Sequence, residues 1–178
     1  AYLSVAPKVA ALGVLMKFIV ALNTSGQSTF DWQLVIAAVA LITITFGNLS
    51  ALWQDNAKRM MAYSSIAHSG YLLVGIAAFT SVGAQLMLFY AAVYLLMNFA
   101  VFVYLMYFEE HGLDTMPSFA GQGKKLPWAA VGITIALVAL TGIPPTAGFT
   151  AKLFIFSSLW ESYQETHKSL LFWVLVVC

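Results

Sequence analysis

Apolar residues along this chain come in long continuous runs, and polar residues collect in short breaks between them. A bilayer core is crossed by about 20 apolar residues of helix. Five stretches reach that length: 1–22, 32–53, 60–79, 84–108 and 128–160. The fifth is long for one helix and is interrupted at GIPP. A closing run, LLFWVLVVC, is too short to span. The breaks read NTSGQST, QDNAKR, TSVG, EEHGLDTMPSFAGQGKKLP and ESYQETHKS. No strand pattern competes, because the runs are too long and too continuous. The pattern predicts an all-α, polytopic transmembrane helix bundle: about five full helices and part of a sixth, one broken at GIPP. Residues 1–178 read as a single transmembrane domain. The first run reads as a helix already under way, so the whole is expected to be a portion of a longer membrane protein.

Composition sharpens this picture. The chain is 61% hydrophobic and 8% charged, with a mean hydropathy of +0.86. A soluble domain carries roughly a quarter charged residues. The net charge of +1 gives no basic footprint for nucleic acid. The single cysteine, Cys178, leaves no intrachain disulfide and no C-x-x-C spacing. The first run contains Lys8 and Lys17 and lacks the order of a signal peptide. Lysine and arginine concentrate on the cytoplasmic side of a membrane protein. Lys58, Arg59, Lys124 and Lys125 fall in connections on one side, so 54–59 and 109–127 are expected to face the cytoplasm. Trp53, Trp128 and Trp160 fall at expected helix ends, where interfacial aromatics belong.

The chemistry lies in the few charges inside the runs. Lys152 follows the GIPP break, among Phe149, Leu153, Phe154 and Phe156. An unbroken helix from Trp128 would carry it about 36 Å, past the hydrocarbon. Pro144 and Pro145 disrupt the helix and use chain without advancing, which brings Lys152 back toward the middle. Non-helical backbone at that depth needs protein or water to satisfy it. A lysine there reads as a proton carrier, set against an interfacial anchor. Lys8 follows Pro7 in LSVAPKVAALGVL, about 20 Å from the outer end of its helix, and carries the same two readings.

Lys17 lies nine residues further out and is either a snorkelling anchor or a relay group. Lys58 and Arg59 are explained by topology. His68, in AYSSIAHSGY, is either a proton relay or a neutral interhelical partner. Tyr63, Tyr71, Tyr90, Tyr94 and Asn98 add polar tips, read as packing or water-binding groups. All seven acids fall in or beside the connections. There is no phosphate-binding glycine loop and no Ser/His/Asp arrangement, and His68, His111 and His167 are too scattered for a metal site. Three functions remain: a proton or ion conduit, a structural membrane subunit, and a substrate transporter built on the broken helix. The transporter has no substrate-sized polar cluster behind it.

The stretch ALWQDNAKRMMAYSSIAHSGYLLVGI closely resembles the signature of the antiporter-like N-type subunits of respiratory complex I, the NADH:quinone oxidoreductase. GIPPTAGFTAKLFIF resembles the broken twelfth helix of that family, and LSVAPKVAALGVL its eighth. The resemblance runs from residue 1 to about 160; the L- and M-type subunits and Mrp-type cation/proton antiporters share it more loosely. It implies an antiporter-like fold of about fourteen helices in two inverted repeats. This chain would cover helices eight to twelve and the start of thirteen, mainly the second repeat. Family lysines on helices eight and twelve belong to a hydrated charged axis, and Lys8 and Lys152 resemble them. The expected function is proton translocation through a buried lysine axis, as a subunit of a proton-translocating enzyme, coupled to quinone reduction elsewhere. The alternative is an Mrp-type antiporter subunit. The implied partners are M-, L-, K- and J-type membrane subunits and the lipid bilayer. Flavin (FMN), iron–sulfur clusters, quinone and NADH would belong to other subunits, with no cofactor or metal in this one. The implied location is a bacterial inner membrane, multi-pass.

Overall fold

The computed structural model describes residues 2–24 and 31–177. Most of the NTSGQST connection, and Cys178, lie outside the described residues. The helices are α1 (Tyr2–Thr24), α2 (Trp32–Leu52), α3 (Ala57–Ala77), α4 (Ser81–Glu110), α5 (Gln122–Lys125), α6 (Pro127–Thr141), α7 (Ala147–Thr166) and α8 (Ser169–Val177). A 3-10 turn, Met116–Phe119, precedes α5. Among the described residues there is no strand, only an isolated bridge between Asn56 and Thr115. By length and apolar content, α2 and the Val82–Glu110 part of α4 each meet the requirement for crossing a membrane. The fifth apolar run is two helices, α6 and α7, as the GIPP break predicts.

α3 is the centre of the bundle. It packs on α2 along its length, on α4 and α7 on other faces, and on α1. The α2–α3 contact is close because small residues line it. A Cβ added at Gly70 would sit 2.5 Å from Ile44 Cγ1, and one at Gly47 would sit 2.6 Å from the Ala67 nitrogen. Without a hydrophobic drive between helices in lipid, such close approach supplies the association.

The two ends of the bundle are tied differently. At one end the connections assigned to the cytoplasmic side meet. Met116 N donates to Asp55 O at 2.7 Å, Ala57 N donates to Asp114 O at 3.2 Å, and Lys58 pairs with Glu109. Asn56 caps α3 by accepting from Arg59 N at 3.1 Å, so Lys58 and Arg59 belong to the first turn of the helix rather than to a loop. Trp53 and Trp128 are 87% and 88% exposed at this end.

At the other end α2, α3, α7 and the connection before α8 converge on Gln33, which is 6% exposed. Its amide donates to Ala77 O at 3.0 Å and to Ser162 Oγ at 2.8 Å, and its oxygen accepts from Lys168 Nζ at 2.9 Å. Lys168 also pairs with Asp31, which accepts from Leu34 N at the start of α2. This junction explains a difference from the sequence reading. Residues 161–166 continue α7 instead of opening a loop at Trp160, because Ser162 is buried and bonded to Gln33.

Two outcomes follow from these contacts. Gly70→Leu forces α2 and α3 apart and destabilises the bundle by about 2 kcal/mol, read as a lower melting temperature in detergent; an unchanged melt contradicts the close approach. Burial alone would push the Asp31 carboxyl up, but the Lys168 ammonium and the Leu34 and Gln33 backbone donors outweigh it and hold it below the ordinary carboxylate value. A carboxyl lowered in the folded state stabilises above its unfolded value of about 3.9 and loses that contribution as pH falls through its folded value. Asp31→Asn should therefore melt below the parent near neutral pH, and the gap should close in acid. A gap that persists unchanged in acid contradicts this assignment.

Candidate functional site

The broken helix places the first element. α6 ends at Gly142, whose φ of 83° is in the left-handed region that glycine adopts without strain. Gly142 N donates to Val138 O and Ala139 O, each at 3.2 Å, closing the helix end. Ile143 and the two prolines turn the chain, and Thr146 is the N-cap position of α7. The carbonyls of a helix C-terminus carry partial negative charge and lack intrahelical donors. Lys152 reaches back from the second turn of α7 and donates to Thr141 O at 2.9 Å. Its Nζ also lies 4.6 Å from the centroid of the Tyr71 ring, a cation–π contact. A Cβ at Gly142 would sit 3.1 Å from Lys152 Cδ, so the glycine also leaves room for the lysine stem.

Lys8 approaches from the other flank. Its Nζ donates to Ser65 O at 2.9 Å and to Ser65 Oγ at 3.0 Å. Ser65 Oγ in turn donates to Ala62 O at 2.7 Å, and Ser69 Oγ donates to Ser65 O at 2.8 Å. Ser65, His68 and Tyr71 follow at three-residue spacing, so they line one face of α3 over about 9 Å. Lys8 meets that face at its first member and Lys152 at its last.

His68 stands between them, 5% exposed. Its Nδ1 is 2.6 Å from the Tyr90 hydroxyl. Its ring stacks on Tyr94 at 4.4 Å and 20°, and Tyr71 is tilted against it at 5.8 Å. Tyr90 and Tyr94 are one turn apart on α4, so a single face of that helix covers the histidine. The charges of Lys152 and Lys8 both act on His68. The arrangement is a lateral row of titratable and hydroxyl groups through the bundle, from α1 across α3 to α7.

The sequence profile of the family described as NADH:quinone oxidoreductase/Mrp antiporter, TM, matches residues 1–177. The chain belongs to this antiporter family. It is 47% identical over 165 residues to NADH-quinone oxidoreductase subunit N 2 of Chloroherpeton thalassium, covering 89% of this chain and 32% of the relative. It is 44% identical over 166 residues to NADH-quinone oxidoreductase subunit N of Chlorobium chlorochromatii, with the same coverage of 89% and 32%. Among solved structures it is similar to a chain in respiratory complex I from Thermus thermophilus with bound aureothin. That match has a TM-score of 0.60 and 28% identity, and covers 80% of this chain and 33% of the other. The chain thus spans about a third of the length of the relatives it matches. The bundle has the antiporter-like fold of complex I membrane subunits, and the protein is an integral membrane protein.

Within this antiporter-family bundle the structure brings Lys8, His68 and Lys152 into one row and leaves Lys17 apart. Lys17 is exposed and lies along a shallow groove between α1 and the start of α4, with Val20, Ala84 and Leu88. Among the described residues no group of three or more His, Cys, Asp or Glu is placed to hold a metal. The sequence reads Tyr90 and Tyr94 as packing or water-binding groups and does not single out Gln33. The three-residue spacing of Ser65, His68 and Tyr71 is the available signal for a face of α3 that other helices meet. Gln33 carries one too, a buriable amide at the second position of an apolar run.

Gly142→Ala tests how the break serves the lysine. The substitution strains a left-handed φ and crowds the Lys152 stem, at about 1–2 kcal/mol. It should lower the thermal stability of the bundle. A parent-like melt would show that α6 ends independently of this glycine.

Proposed function

We propose that this chain carries a proton path of an N-type membrane subunit in a proton-translocating NADH:quinone oxidoreductase. One observation supports this above the others: Lys8 and Lys152 approach the same face of α3 from opposite ends, with buried His68 between them. A carbonyl or hydroxyl oxygen accepts an N–H from an ammonium and from a neutral amine alike. The contacts to Ser65 and Thr141 therefore hold each lysine before and after it gives up a proton. Imidazole has two ring nitrogens that can take up and give up a proton, which suits the place between two amines. Intramembrane ionisable groups of this kind are functional by default.

In this reading, quinone reduction in another part of the complex shifts charge along the row. Each amine then passes its proton onward and is recharged. The chain corresponds to family helices eight to twelve and the start of thirteen, in the second inverted repeat. Flavin, iron–sulfur clusters, NADH and quinone chemistry are assigned to other subunits, and M-, L-, K- and J-type membrane subunits are its neighbours. The membrane is a bacterial inner membrane, with the Lys58/Arg59 and Lys124/Lys125 end in the cytoplasm. Lys17 is assigned to anchoring, from its exposed position.

The test is Lys152→Met in the full-length subunit within its assembled complex, in sealed vesicles. Proton pumping and its coupled quinone reduction should fall at least about tenfold while the complex still assembles. Parent-level pumping from an assembled complex contradicts the proposal.

A further inference from the structure

His68 has two ring nitrogens, and only one can serve a path cleanly at a time. One nitrogen is already taken. Nδ1 lies 2.6 Å from the hydroxyl of Tyr90, a residue 1% exposed on α4. The ring is held flat against Tyr94 and flanked by Tyr71, so it is clamped on its faces as well as at Nδ1. A phenol hydroxyl both donates and accepts. It can therefore stay bonded to Nδ1 whether the imidazole is neutral or charged. Which nitrogen of a histidine exchanges its proton is set by the bond the other one makes.

We infer that Tyr90 is the positioning residue for His68: its hydroxyl oxygen accepts the Nδ1–H, which leaves Nε2 as the nitrogen that exchanges protons. The inference rests on the relay reading given above. In the neutral ring the proton sits on Nδ1 and the Nε2 lone pair is open. A proton delivered along the row adds to Nε2 and gives an imidazolium, with the delivering amine left neutral. Loss of that proton from Nε2 restores the starting tautomer, and the Nδ1–H···O bond persists throughout. Without the phenol, the neutral ring places its hydrogen on either nitrogen, and half of the exchange geometry is lost.

The charged and titratable groups around His68 come from every packed helix that offers one. α1 contributes Lys8, α4 contributes Tyr90 and Tyr94, α7 contributes Lys152, and α3 itself contributes Tyr71. α2 faces α3 with small and aliphatic residues, Ala40, Ile44 and Gly47. Of these groups, Tyr90 brings its hydroxyl to an imidazole nitrogen, at 2.6 Å.

The experiment compares Tyr90→Phe and His68→Gln with the parent in the assembled complex, reading pumping against pH in sealed vesicles. Phenylalanine keeps the ring volume and removes only the hydroxyl. Expected for Tyr90→Phe is a loss of about tenfold in coupled pumping at the parent optimum, with the pH profile displaced by about half a unit or more. His68→Gln should lose pumping outright. If Tyr90→Phe keeps the parent rate and profile while His68→Gln fails, the positioning role is overturned and the relay reading stands. If His68→Gln pumps like the parent, the relay reading fails and this inference with it. Should Tyr90→Phe not assemble, infrared difference spectra of the parent with ring-labelled histidine decide, using His68→Gln to identify the band. A neutral His68 carrying its hydrogen on Nδ1 supports the inference, and one carrying it on Nε2 overturns it.

Discussion

A lysine ammonium on an apolar helix needs an oxygen or an aromatic face to hold it, and this bundle meets that requirement twice. Helices satisfy their own backbone and leave a lysine only the second lone pair of a carbonyl, a side-chain oxygen or a helix end. Lys152 obtains one because the chain is broken beside it: α6 stops at Gly142 and exposes the Thr141 carbonyl. Lys8 obtains its oxygens from α3, where Ser65 offers both a hydroxyl and a carbonyl. The two solutions differ, but both leave the lysine against neutral groups, and both direct it at the same helix.

That convergence depends on α3 being central. Gly70 and Gly47 let α2 approach it closely on one side, which leaves its Ser65–His68–Tyr71 face to α1, α4 and α7. The ends hold the helices in register without charge near the middle. Gln33 ties α2 to the ends of α3 and α7 at one extreme, and the Asp55–Met116 and Lys58–Glu109 contacts close the other. Between them the apolar residues Val74, Ile155 and Leu159 are buried on the helices that carry His68 and Lys152. His68 is thus enclosed by packed side chains, with Lys8 and Lys152 half-buried on its two flanks.

Much of this could be read from the chain. Apolar run length gave the helices, two prolines in sequence gave the break, and a lysine just past the break gave the strongest site candidate. A lone imidazole inside an apolar run gave His68, ahead of any family resemblance. What escaped was partnership. Ser65 is one of several serines near His68, and no local pattern names its partner, Lys8, 57 positions away in sequence. Tyr90 reads as one more aromatic in an apolar helix until the crossing of α3 and α4 brings its hydroxyl to an imidazole nitrogen. Gln33 stands out in no sequence pattern, and its burial depends on α3, α7 and the connection that carries Lys168. The end of α7 was misplaced for the same reason, since polar letters at 161–166 hide a buried Ser162. Run length and helix breakers act locally, whereas these pairings depend on how helices cross.

The central claim is that Lys8 and Lys152 serve one path through His68. A double-mutant cycle on pumping tests it most directly, with Lys8→Met, Lys152→Met and the pair measured in the assembled complex. For groups in series on one path, the double variant should pump no worse than the more damaging single variant. If the two losses instead multiply, the lysines act independently, and the row across α3 is packing rather than a route for protons.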